Sequence, residues 1–165
     1  MIELGLNLLK ENLIKSRQLL EDKDYLFFDK MFEEKQKLLL EKMYMPVLLN
    51  GLSDSSLEFS YTSDLLNLIR AFHPIIGNDS FLKIIFENVQ IVYPHGKHWY
   101  YHLLIDCIKN INHQKSNNIL TEVFDQLTID QKVMILNCLT NIQKEKGYGI
   151  NSNKYFLEVI KLLSE

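Results

Sequence analysis

Apolar residues recur at three- and four-residue spacing along almost the whole chain, in stretches such as "FLKIIF", "HLLIDCI", "ILTEVF", "VMILNCL" and "FLEVIKLL". That is the period of a helix with one buried face, whereas the strict alternation of a half-buried strand is scarce. The chain therefore reads as all-α. Its 165 residues suit one domain, residues 1–165, because a chain of about 150 residues buries roughly two-thirds of its surface on folding. With 47% hydrophobic residues, 6 Gly and 3 Pro, a disordered or loop-dominated chain is excluded.

The period and its breaks predict about seven or eight helices. The first runs from about Glu3 to Leu20, and a second starts near Tyr25 behind an N-cap at Asp22 or Asp24. The second either continues through "EEKQKLLLEKMYM" or breaks near Glu33, and Pro46 ends or kinks whatever precedes it. Gly51 reads as a residue just past a helix end. Ser55 and Glu58 have the spacing of a capping box for a helix through "DLLNLIRAF", although Leu57, Phe59 and Tyr61 also alternate.

"HPIIGNDS" is the next break, followed by helices in "FLKIIFENVQIV", "KHWYYHLLIDCIKNI" and "ILTEVFDQL". Thr128 and Gln131 make a second capping box, for "IDQKVMILNCLTNIQKEK". Gly147 and Gly149 end that helix, and Asn151 or Ser152 caps "KYFLEVIKLL". Short connections make neighbours antiparallel, so the architecture is a HEAT-like α-solenoid fragment or an irregular helical bundle.

A net charge of −3 leaves no basic footprint for direct nucleic-acid binding. Residues 1–60 hold 8 Lys/Arg against 11 Asp/Glu, whereas residues 61–165 hold 10 of each, so attraction for a cationic partner is concentrated in the N-terminal third. Glu21, Asp22, Asp24, Asp29, Glu33 and Glu34 are its candidate contacts. Cys107 and Cys138 lack any Cys-x-x-Cys spacing and read as core thiols. No leader-like start and no long apolar run are present, which implies a cytoplasmic protein without membrane contact.

One stretch, "YPHGKHWYYH", holds three of the five histidines, the single tryptophan and three tyrosines. On a wheel at about 100° per residue with His98 at zero, Trp99, Leu103, Cys107, Tyr100, Ile111, Leu104 and Ile108 fill an inward arc from about 100° to 280°. His98, His102, Asp106 and Lys109 lie opposite, with His102 placed for an i,i+4 contact to Asp106. His98 and His102 could share a metal ion, but Trp99 stands where zincin helices carry Glu and no third ligand is evident. Acid/base work by two histidines of one exposed helix lacks a nucleophile, an oxyanion hole or a phosphate loop; "GLSDS" is not a nucleophile elbow. A binding surface is the third reading, using Tyr93, His95, His98, Trp99, Tyr101 and His102.

A short, acidic, Lys/Asn/Ile-rich all-α chain of this kind resembles the small immunity proteins of bacterial polymorphic and contact-dependent growth-inhibition toxin systems. The resemblance implies a protein-binding inhibitor that covers the active site of one cognate toxin, commonly a cationic nuclease, with neither catalysis nor a cofactor of its own. A helical adaptor or regulatory subunit is the alternative, and a metal-dependent or acid/base enzyme using His98 and His102 the third.

Overall fold

A computed structural model describes residues 5–109, 116–146, 159–161 and 164, and among these residues the protein is all-α. The helices are α1 (Leu6–Ser16), α2 (Asp22–Glu33), α3 (Lys35–Leu38), α4 (Tyr44–Leu48), α5 (Phe59–Arg70), α6 (His73–Ile76), α7 (Asn78–Glu87), α8 (Val89–Val92), α9 (Lys97–Lys109), α10 (Ser116–Gln126) and α11 (Ile129–Lys146), with a 3₁₀ turn at Leu49–Gly51. Seven of the eleven span ten residues or more, and the other four are single turns that the spacing alone does not single out. The stops at Gly147 and Gly149 and the caps at Asn151 and Ser152 lie outside the described residues, as does most of "KYFLEVIKLL". No helix among the described residues is long and apolar enough to cross a membrane.

At the start of α11 the sequence and the structure agree. The Thr128 amide donates to Gln131 Oε1 at 2.9 Å and the Gln131 amide to Thr128 Oγ1 at 3.2 Å, so α11 starts where the reciprocal box requires. The Ser55–Glu58 box does not form. Glu58 is itself the N-cap, α5 begins at Phe59, and Ser55 instead faces Ser53 and Gln18. Gly51 is not a left-handed cap either; it is buried, and a Cβ there would come within 2.6 Å of a Leu65 methyl and 2.8 Å of a Leu13 methyl. Pro46 falls in the first turn of α4, where a missing amide donor costs nothing.

The first helix ends at Ser16, short of Leu20, because Leu19 turns the chain with φ 55°. A left-handed leucine costs about 1–2 kcal/mol. Its side chain is only 1% exposed, and burial of a leucine contributes about 1.5–3 kcal/mol in return. The α2 N-cap is Glu21 rather than Asp22 or Asp24. Asp24 Oδ2 accepts the amides of Leu20 at 3.0 Å and Glu21 at 3.1 Å, so its carboxylate is folded back onto the helix start. Asp24→Ala is expected to lower stability by about 1–2 kcal/mol in urea unfolding, with Asp24→Asn recovering most of it.

Helix α1 packs on α2, α4 and the 3₁₀ turn, while α9 lies among α5, α7, α8 and α11. Helix α11 reaches back to α7, α8 and α9. The core is one continuous apolar cluster from Leu9 to Val159, and Tyr100, Leu103, Leu104 and Cys107 of α9 sit inside it.

Candidate functional site

The start of α9 is held by a segment more than forty residues earlier in the chain. Gly96 lies so close to Leu52 that a Cβ would fall 2.7 Å from its carbonyl oxygen. That approach lets the Asp54 amide donate to the His95 carbonyl at 2.7 Å, and both Asp54 oxygens accept the His98 amide at 3.1 Å. Asp54 therefore caps a helix to which it is not adjacent in sequence. Trp99 Nε1 donates to the Ser53 carbonyl at 3.1 Å, which fixes the indole against the same segment.

The wheel of α9 predicts its buried side correctly at Trp99, Tyr100, Leu103, Leu104 and Cys107. Trp99 and Tyr101, both offered as partner contacts, are only 5% and 2% exposed and are corrected to core positions. Tyr101 sits at about 300°, just past the inward arc, and a helix packed by four other elements buries a wider arc than one face. His98 and His102 are half-buried rather than fully outside, their rings edge-to-face at 5.0 Å. Tyr93 is half-buried with the Lys97 ammonium 5.4 Å over its ring, and His95 is exposed. Asp106 accepts Arg70 Nε at 2.6 Å, an ion pair between α9 and α5.

The acidic candidates divide. Asp24 is buried and serves the helix start described above, so it is withdrawn as a partner contact. Glu21 pairs with Lys23 at 2.7 Å and Glu34 with Lys37 at 3.5 Å. Asp22, Asp29 and Glu33 are exposed and fall within about 40° of one another on α2. They form an acidic stripe.

The first turn of α5 joins this stripe to the aromatic end of α9. Phe59 and Tyr61 project about 200° apart around the helix. The Tyr61 hydroxyl donates to Asp29 Oδ1 at 2.8 Å and its ring meets Tyr25 at 5.4 Å, whereas Phe59 stacks on Trp99 with centroids 4.6 Å apart. The loop before α5 is tied back as well, since the Leu57 amide donates to the Gln18 carbonyl at 3.1 Å. Leu57 and Phe59 are 69% and 66% exposed, apolar side chains within an acidic surface.

Sequence reasoning missed Asp54, Leu57 and Phe59. The alternation Leu57, Phe59, Tyr61 was their signal: it marks the approach to a helix whose first residues face two different neighbours.

Chemically, the arrangement is equipped for contact. Among the described residues no three His, Cys, Asp or Glu side chains form a group able to hold a metal ion. Burial raises the Cys107 thiol far above its ordinary range, and raises Cys138, which donates to the Lys97 carbonyl at 3.3 Å, from 9.0 to about 12. Both thiols are expected to resist a thiol reagent until the protein unfolds. Above pH 9 an unfolded chain releases thiol protons that the folded one keeps, so stability should fall as pH rises toward about 12 in urea titrations.

No protein-family model matches the chain, and neither a curated protein nor a solved structure matches it.

Proposed function

We propose that this protein is a protein-binding inhibitor, an immunity protein of the cytoplasm that neutralises one cationic bacterial toxin, a basic nuclease, by covering its active site. The observation that carries this reading is the linked surface of α2, α5 and α9, where the exposed carboxylates Asp22, Asp29 and Glu33 of α2 are joined through the Asp29–Tyr61 hydrogen bond to α5, whose exposed Phe59 packs on Trp99 beside Asp54. Carboxylates accelerate encounter with a basic partner and occupy its phosphate-binding groups, while a central aromatic desolvated on docking supplies most of the affinity.

The test is a growth assay of cells expressing the open reading frame immediately upstream, with and without this protein. The expected result is growth arrest rescued only by co-expression, with the two proteins co-eluting. A harmless neighbour, or toxicity unchanged by co-expression, removes the reading. For the complex itself, replacing Asp22 and Asp29 by Asn and Glu33 by Gln is expected to slow association about tenfold at low salt with little change in dissociation. Association that ignores both salt and these substitutions would eliminate the electrostatic component.

A second reading, a helical adaptor, draws on a cleft of about 320 Å³ between α1, α2, α3 and α4, lined by Leu9, Phe27, Met31, Leu38, Leu40 and Tyr44. It predicts a partner retained on purification from the native host and no toxin encoded beside the gene.

A further inference from the structure

We propose that the recess between Asp54 and the Phe59–Trp99 ring pair is the anchor point for an arginine side chain of the partner. The inference rests on the reading of the protein as an inhibitor of a basic protein, and deepens it by naming the chemistry that one subsite recognises.

The recess measures about 330 Å³ and is lined by Ser53, Asp54, Ser56, Phe59, His98 and Trp99. Its lining combines a carboxylate with an aromatic ring pair. No Lys or Arg contributes to the lining, and the nearest chain neighbour with a fixed positive charge, Lys97, is directed over the Tyr93 ring. Each Asp54 oxygen accepts the single His98 amide at 3.1 Å and keeps a further lone pair for an outside donor. Glu58, exposed and one residue before Phe59, adds negative potential at the rim.

The platform is already assembled. The Trp99 indole is held by the Ser53 carbonyl at 3.1 Å, and Phe59 rests on it at 4.6 Å with most of its surface open to solvent. A planar guanidinium satisfies both features at once, its N–H groups on the carboxylate and its face on the phenyl ring, which a compact ammonium does less well. The positive end of α9 offsets part of the Asp54 charge. A lone guanidinium is therefore held weakly, with a Kd on the order of millimolar, and the subsite acts as one anchor within a larger interface.

The single tryptophan provides the readout. The Trp99 indole N–H cross-peak is followed by NMR during titration with N-acetylarginine methylamide. The expected result is a saturable shift, absent with the uncharged citrulline analogue, several-fold weaker with the lysine analogue, and about tenfold weaker in Asp54→Asn or Phe59→Leu. Asn retains a capping acceptor, so Asp54→Asn keeps the helix start, which circular dichroism verifies.

No saturable shift, an equal response to the citrulline or lysine analogue, or undiminished binding in both variants would overturn the assignment. The titration needs no toxin. Failed rescue of growth with the arginine response intact removes the toxin partner and leaves the subsite, whereas rescue without an arginine response removes the subsite and leaves the inhibitor.

Discussion

Phe86→Ala is expected to lower the free energy of unfolding by about 3–5 kcal/mol, the cost of emptying a fully enclosed aromatic site. Phe86 is 0% exposed on α7, and its ring meets Phe124 of α10 edge-on at 5.0 Å and 69°. Helix α7 also packs against α9 and α11, so the void opens where several elements converge. Removal of the ring forfeits transfer energy, the aromatic pair and the contacts of the atoms that lined it. Urea unfolding should show an earlier midpoint at unchanged slope, and Phe86→Leu should lose markedly less. Equal losses in the two variants would mean that α7 and α10 are not packed through this ring. Because small domains are stable by only about 5–15 kcal/mol, Phe86→Ala should also be visibly less soluble at growth temperature.

Gly96→Ala is expected to cost on the order of 2–4 kcal/mol, although it adds a single methyl group. The added Cβ would lie 2.7 Å from the Leu52 oxygen and 2.9 Å from its carbonyl carbon, backbone atoms that no rotamer change can move aside. The two segments must separate. Three hydrogen bonds depend on their approach: Asp54 amide to His95 carbonyl at 2.7 Å, His98 amide to the Asp54 carboxylate at 3.1 Å, and Trp99 Nε1 to the Ser53 carbonyl at 3.1 Å. The substitution should therefore shift the Trp99 indole resonance as well as the urea midpoint, and weaken association with any partner that docks on Phe59. Gly5→Ala is the control, because a Cβ there meets nothing within 4 Å and should change stability by no more than about 0.5 kcal/mol. A Gly96→Ala protein as stable as Gly5→Ala would show that the α9 start does not rest on Leu52.

These two effects mark the division between what was legible in the chain and what was not. The helical class, the seven long helices and the inward side of α9 at Tyr100, Leu103, Leu104 and Cys107 follow from apolar spacing, a property of residues three and four apart. The Thr128–Gln131 cap is equally local and was readable for the same reason. Asp24 and Ser55 show the limit of that reasoning. Both carry side chains competent to cap, and which amides they serve depends on where the neighbouring turn comes to lie.

The candidate site was legible in half. The richness of residues 93–102 and the acidic character of α2 are visible in the sequence, whereas the burial of Tyr101, the capping of α9 by Asp54 and the stacking of Phe59 on Trp99 are not. Apolar periodicity shows which residues must leave water, because burial free energy depends on area whatever covers it. It carries no information about which element does the covering. That choice belongs to contacts between residues some forty positions apart, where Gly96 permits an approach that Leu52 and Asp54 complete, and only the packed tertiary structure decides it.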